Sequence, residues 1–190
     1  YENTLANGIA WYYRNEATPF VFRAVNRLDR DTSGLVLLAK NPYSSCVLSD
    51  AVKDHTIHRE YAAIVSGKTD ASGTIDLPIA RKDGSTIERV CDPERGETAV
   101  THYRTFAYNK DADISFIRLL LETGRTHQIR VHMKAIGHPL PGDFLYHPVF
   151  DRIGRQALHS LQLEFAHPIT GEPMCFLAPV PEDFRRAFSQ

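Results

Sequence analysis

The stretch Asn26-Arg27-Leu28-Asp29-Arg30-Asp31-Thr32-Ser33-Gly34-Leu35-Val36-Leu37-Leu38-Ala39-Lys40 decides how the chain is read. Its first half is polar and Gly34 breaks it. Leu35 to Ala39 then runs apolar without alternation, the pattern of a strand covered on both faces, which predicts a buried central strand. Directly after it, Asn41 supplies a capping side chain and Pro42 suits a first helical turn, so a helix is predicted from Pro42 to Lys53.

Working outward, Tyr61 to Val65 is a second strand of small, β-branched and aromatic residues, ended by Ser66-Gly67. Residues 68–100 are rich in Gly, Pro and charge, with a turn at Lys82-Asp83-Gly84-Ser85, and predict short strands and loops. Ile114 to Glu122 is another core strand, turning at Thr123-Gly124. Ile129, Met133 and Ile136 recur at helical spacing behind Thr126, and Gly137 follows as a stop, so a helix is predicted from His127 to Ile136. His127, Arg130 and Lys134 would share its face opposite the apolar stripe. After a loop from His138 to Asp151, Ala157 to Phe165 and Met174 to Ala178 read as strands, and Pro181 opens a last helix ending near Phe188. Strands in succession with helices inserted irregularly predict an α+β fold: a mixed, mostly antiparallel central sheet flanked by helices and loops.

A chain of 190 residues, 43% apolar and 24% charged, suits one domain over residues 1–190 and can bury a real core without staples. No apolar run is long enough to span a bilayer. The first residue is Tyr1 and no basic-then-apolar leader precedes the fold, so a trimmed rather than secreted chain is expected. Three widely spaced cysteines, Cys46, Cys91 and Cys175, fit neither a disulfide framework nor a metal knuckle, and a reducing cytoplasm is the expectation. With 22 Lys and Arg against 23 Asp and Glu, any polyanion must meet a local patch, for which Arg14, Arg23, Arg27 and Arg30, or Arg125, Arg130 and Lys134, are candidates.

Three groups of residues could carry chemistry. In the first, Asp29 is flanked by Arg27 and Arg30 ahead of a strand, and cationic neighbours favour the carboxylate form while core packing holds it still. If the segment is extended, Arg27, Asp29 and Asp31 face one side. The plainer alternative is a charged turn before a strand. In the second, Gly124-Arg125-Thr126-His127 opens a helix, where free N–H groups beside Arg and His form an anion site; here the plainer alternative is that Thr126 only caps the helix. The third is the set of histidines from His127 to His167, of which His127 and His132 are five apart and so do not point together as zinc ligands do. These fit loop or interior positions better. Asp29 with Asp31 would suit a glycoside hydrolase, since residues two apart on a strand are about 6.6 Å apart. Against this, the flanking arginines deny such a pair its acid, and one acidic nucleophile suits the patch better.

The blocks Arg27-Leu28-Asp29-Arg30-Asp31-Thr32-Ser33-Gly34-Leu35, Arg59-Glu60-Tyr61-Ala62-Ala63-Ile64-Val65-Ser66-Gly67, Gly124-Arg125-Thr126-His127-Gln128-Ile129-Arg130-Val131-His132-Met133, Gly137-His138-Pro139, Gly142-Asp143 and Ala157-Leu158-His159 together resemble the RluA-type pseudouridine synthases in order and spacing. The likeness runs from about Asn3 to the C-terminus. It implies an enzyme that converts uridine in folded RNA to its C-glycoside isomer without metal, nucleotide or redox cofactor, acting on ribosomal or transfer RNA as a monomer. By the same resemblance Asp29 is the catalytic aspartate and Arg130 its orienting ion-pair partner. Tyr61 packs against the target base, Arg27 enters the stack in place of the flipped nucleotide, and Leu158 lines the uracil pocket. Arg125 and His127 join the substrate-binding set through the anion site.

The chain departs from the family at Asn26, where His is common, which should alter a neighbouring hydrogen bond. The family's opening strand, and the small RNA-binding domain many members carry ahead of the catalytic one, have no counterpart here, so the chain is expected to be a catalytic domain truncated at its N-terminus. Two rival classes stand beside the synthase: a catalytically idle RNA-binding module of the same fold, and the carboxylate-dependent glycoside hydrolase.

Overall fold

A computed structural model describes residues 2, 4–15 and 20–189. The described helices are α1 (Leu5–Tyr12), α2 (Pro42–Lys53), α3 (Gln128–Ala135) and α4 (Glu182–Ser189). The strands are β1 (Ser33–Gly34), β2 (His58–Ser66), β3 (Ser72–Asp76), β4 (Ile79–Arg81), β5 (Arg89–Cys91), β6 (Val100–Asn109), β7 (Ile114–Leu121), β8 (Leu158–Ala166) and β9 (Pro173–Leu177). One sheet runs in the order β1-β8-β2-β7-β6-β3 with β9 also on β8, and its β1–β8 pair is parallel while the others are antiparallel. β4 and β5 form a separate hairpin. The architecture is the predicted α+β arrangement around a mixed, mostly antiparallel sheet. Among the described residues no helix is long and apolar enough to cross a membrane.

β2 takes the middle of the sheet because its residues can be covered on both faces. Tyr61, Ala63 and Val65 pack with Ile117 and Leu119 of β7 and Ile129 and Met133 of α3. Ala62 and Ile64, pointing the other way, pack with Leu161 of β8 and Phe184 and Ala187 of α4. The helix predicted from Asn41 and Pro42 forms as read, with Asn41 Oδ1 accepting the Ser44 N–H at 2.8 Å. It packs Leu48, Ala51 and Val52 against Ala39, Ile57 and Phe165 at a corner of the sheet.

Leu35 to Ala39 does not form a central strand. Pairing with β8 is confined to Ser33 and Gly34, at the sheet edge, with Leu35 N–H adding one bond to the Ser160 carbonyl. The apolar run instead bonds to its own approach: Val25 N–H donates to Leu37 O and Ala39 N–H to Arg23 O, both at 2.9 Å. Asn26 Oδ1 accepts the Leu37 N–H at 2.6 Å, the neighbouring hydrogen bond that the residue at this position sets. Leu37 and Ala39 pack into the α2 cluster, while Val36 and Leu38 line a groove beside Leu5 and Ile9 of α1. Apolar periodicity reports that both faces are covered, not what covers them. α1, which sequence periodicity does not single out, starts at a capping box between Thr4 and Asn7.

The cationic face predicted for α3 is also absent. Gln128 to Met133 are all buried, Arg130 to 2% exposure, and Lys134 alone of the three predicted face residues is exposed. Thr126 does not cap the helix. The N-cap is His127, in the left-handed region at φ 59°.

Candidate active site

Asp29 sits in a tight turn directly ahead of β1, closed by a bond from Thr32 N–H to the Asp29 carbonyl at 3.0 Å, with Asp31 at φ 70°. Behind it, Gln156 Nε2 donates to the Arg30 carbonyl and to Thr32 Oγ1. The turn therefore presents one carboxylate from a backbone fixed on both sides.

That carboxylate meets α3. Arg130 Nη1 donates to Asp29 Oδ2 at 3.1 Å, while Arg130 Nε and Nη2 each donate to one oxygen of Asp143 at 2.7 Å. Asp143, fully buried, also accepts the N–H groups of Leu145 and Tyr146. Burial works against the Arg130 charge, but Asp143 and then Asp29 outweigh it and hold the guanidinium protonated. A planar fork shared between two carboxylates can rotate little, so Asp29 is held at a defined angle. The part played by Asp143 is not visible in the sequence reading, where it counts only as half of the Gly142-Asp143 block.

Tyr61 of β2, Leu158 of β8, Arg27, Arg59, Arg125 and His127 line the same cleft as Asp29 and Arg130. Every predicted site residue therefore meets at one place. Tyr61 is 6% exposed; burial pushes its phenol up, Arg59 counteracts, and Asp29 adds to the rise. On β8, Ser160 pairs with Tyr61 and Gln162 with Glu60, so Leu161 is an extra residue, and such a bulge re-aims the side chains beside it. Arg27 Nη2 donates to Thr126 Oγ1 at 3.1 Å. Arg125 donates to the Thr98 carbonyl and to Glu97, so part of its charge is already matched. His127 places Nδ1 2.8 Å from the Tyr146 hydroxyl and Nε2 3.9 Å from Asp29 Oδ2. Burial lowers its pKa, with Asp29 opposing.

Two parts of the sequence reading change here. The turn sends Asp31 away from Asp29: its exposed side chain pairs with Arg30 at 3.3 Å, and neither residue lines the cleft. The extended geometry that would put two carboxylates on one side, and with it the hydrolase pair, does not exist. The guanidinium beside Asp29 likewise belongs to Arg130, 101 residues away in the chain, and not to its sequence neighbours Arg27 and Arg30. His132 is an interior histidine as read, held between Thr101 Oγ1 and the Leu77 carbonyl at 2.9 Å each.

A lone carboxylate fixed by a guanidinium, beside a buried aromatic ring and under a rim of arginines, can attack an electrophilic carbon or take a proton from a ligand that brings phosphates. Comparison with known proteins identifies the family. A family model described as RNA pseudouridylate synthase matches residues 7–135. The uncharacterized RNA pseudouridine synthase YjbO of Bacillus subtilis is 47% identical over 184 residues, which cover 96% of this chain and 64% of that protein. The ribosomal large subunit pseudouridine synthase D of Zymomonas mobilis is 39% identical over 99% of this chain and 63% of its own length. The chain thus spans somewhat less than two thirds of these relatives. Among solved structures, human RNA pseudouridylate synthase domain containing 1 superposes with a TM-score of 0.73 at 28% identity, over 84% of this chain and 69% of the other.

Proposed function

The chain belongs to the RNA pseudouridylate synthase family, and from that premise we propose that it isomerises uridine to pseudouridine in RNA, with Asp29 acting on the ribose. The observation that carries this reading is the Arg130 guanidinium donating to Asp29 at 3.1 Å in a cleft that Tyr61 also lines. In the reaction the N1–C1′ bond breaks, the uracil turns, and C5 bonds to C1′. C5 gives up a proton and N1 gains one, so composition is unchanged. Asp29 either attacks C1′ or removes the C2′ proton to pass through a glycal. In both courses Arg130 fixes the carboxylate in advance of the step.

Tyr61 packs against the base. Its phenol, pushed up by burial, stays protonated at neutral pH and offers a ring and a hydroxyl donor rather than a base. Leu158 supplies an apolar wall for the uracil. Arg125 meets backbone phosphates at the rim, and Arg27 fills the stack that the flipped nucleotide leaves. Extruding the base costs a few kcal/mol, which favours loops and distorted stems. The relatives named for the large ribosomal subunit favour ribosomal RNA over transfer RNA. Relatives named for the ribosomal large subunit favour a cytoplasmic setting as well.

RNA transcribed with uridine tritiated at C5 tests the proposal, since isomerisation releases that label to solvent. Asp29→Asn and Asp29→Ala should bind RNA and release none. Release at the wild-type rate from either would overturn the assignment, and mapping pseudouridine in cells with and without the gene names the uridine.

A further inference from the structure

His127 holds a left-handed backbone at φ 59°, a conformation that costs a residue with a β-carbon roughly 1–2 kcal/mol. The ring it places is nearly enclosed, with 13% of its side chain exposed. Nδ1 lies 2.8 Å from the Tyr146 hydroxyl, and that hydroxyl already accepts the backbone N–H of Arg89, at the start of β5, at 2.9 Å. The hydroxyl proton still needs an acceptor, and among the described residues Nδ1 is the one within bonding distance, so the hydroxyl donates and Nδ1 accepts. A neutral imidazole that accepts at Nδ1 carries its proton on Nε2. Nε2 has no hydrogen-bond partner among the described residues: Asp29 Oδ2, at 3.9 Å, is beyond bonding distance.

We propose that His127 donates this Nε2–H to the uracil O2 of the flipped nucleotide, and that Tyr146 is the positioning residue that selects the tautomer, itself anchored by the β4–β5 hairpin. The inference rests on the reading of Asp29 given above. A carboxylate acting at C1′ or C2′ lies beside the N1–C2–O2 edge of the base, and a donor 3.9 Å from that carboxylate faces the same edge. Breaking N1–C1′ sends negative charge into the uracil, part of it to O2, so a fixed donor there binds more strongly as the bond breaks.

Neutrality matters as much as position, because an imidazolium would pair with Asp29 and compete with Arg130. The groups facing His127 are Asp29 from the turn before β1, Arg130 from α3, Arg89 from β5, and Asp143 and Tyr146 from the loop after α3. Burial and the two guanidiniums lower its pKa, the two carboxylates raise it, and the balance is downward.

Long-range proton–nitrogen NMR of histidine-labelled protein reads the tautomer directly. Near pH 7, His127 should be in the Nε2–H form, the uncharged ring that its burial favours. Tyr146→Phe, which keeps the ring, should shift it toward a mixture with Nδ1–H. On RNA, His127→Leu should lower kcat by about 10²-fold with KM little changed, and Tyr146→Phe should lose less. Placing 2-thiouridine, a poorer acceptor, at the target should slow the wild type and leave the His127→Leu rate where it was. An Nδ1–H or imidazolium form at pH 7 would overturn the proposal. So would equal sensitivity of both proteins to 2-thiouridine, which would redirect the donor to the ribose 2′-hydroxyl. If the wild type made no pseudouridine, the functional reading would fall while the spectra still decided the tautomer.

Discussion

Arg155 Nη1 donates to the carbonyl of Asp31 at 3.1 Å, while Arg155 Nε and Nη2 grip Asp183 at 2.7 and 3.1 Å. One guanidinium thus ties the turn that carries Asp29 to the first turn of α4. Arg155→Ala should loosen that turn and lower kcat about tenfold or more, because misplacement of a reacting group by an ångström is enough for such a loss. RNA affinity should hold. Arg155→Lys should recover little, since a point charge cannot make the same fork. Turnover measured beside RNA binding checks this, and an alanine variant with wild-type kcat would refute the positional role.

Asp143→Ala leaves the Arg130 guanidinium buried with one of its three hydrogen bonds, the one to Asp29. Breaking a buried pair from one side costs about 3–5 kcal/mol, and a loss of that size is expected in urea unfolding, with turnover lost as well. Asp143→Asn preserves shape and one acceptor, so it should unfold less readily than the alanine variant yet turn over poorly. Comparing the two variants separates stability from the aiming of Asp29.

Acid should destabilise the fold through its buried histidines. His132 and His159 both have lowered pKa values, in each case chiefly because burial disfavours the charged ring, with Arg155 adding to the effect at His159. An unfolded histidine takes its proton near about pH 6.5. The unfolded chain therefore binds more protons than the native one just below that pH. The stability these residues contribute is complete above the unfolded value and is lost as pH falls toward the folded ones. Urea midpoints should drop between about pH 7 and 5 across that histidine range. The slope is the readout, and it should flatten in His132→Asn whatever that change does to the midpoint.

At Gly34 φ is +108°, and a β-carbon would run into the Ser160 backbone across the β1–β8 pair. Gly34→Ala should cost roughly 1–3 kcal/mol in backbone strain before the clash is counted, and displace the turn just ahead of it. Gly84, also at positive φ but with nothing near a built β-carbon, should show only the strain when changed to Ala. Thermal melts of the two variants should differ clearly, with activity falling further in Gly34→Ala.

Much of this was legible because the residues concerned are explained by their immediate surroundings. β2, β7 and β8 are apolar runs long enough to be strands, and Asn41-Pro42 opens α2 on its own side chains. Asp29 and Arg130 stand out as a charged turn and a cation on an apolar helix. What was hidden depends on partners distant in sequence. Nothing local tells that Leu37 and Ala39 pack on the α2 cluster and Val36 and Leu38 on the groove beside α1 rather than inside the sheet, or that Arg130 is buried because Asp143 meets it from a loop rich in Pro and Gly. The positive φ of Asp31 turns it away from Asp29, and the polar run of five residues from Asp29 to Ser33 gives no warning of it.

Asp29, Tyr61 and Arg130 come from a turn, a central strand and a helix, and the Asp29–Arg130 contact closes a loop of 101 residues. Half-assembled molecules consequently hold no competent centre. During refolding, catalysis should return last, after the far-apart segments have docked, making recovered turnover a stricter gauge of native topology than any spectroscopic signal from the strands alone.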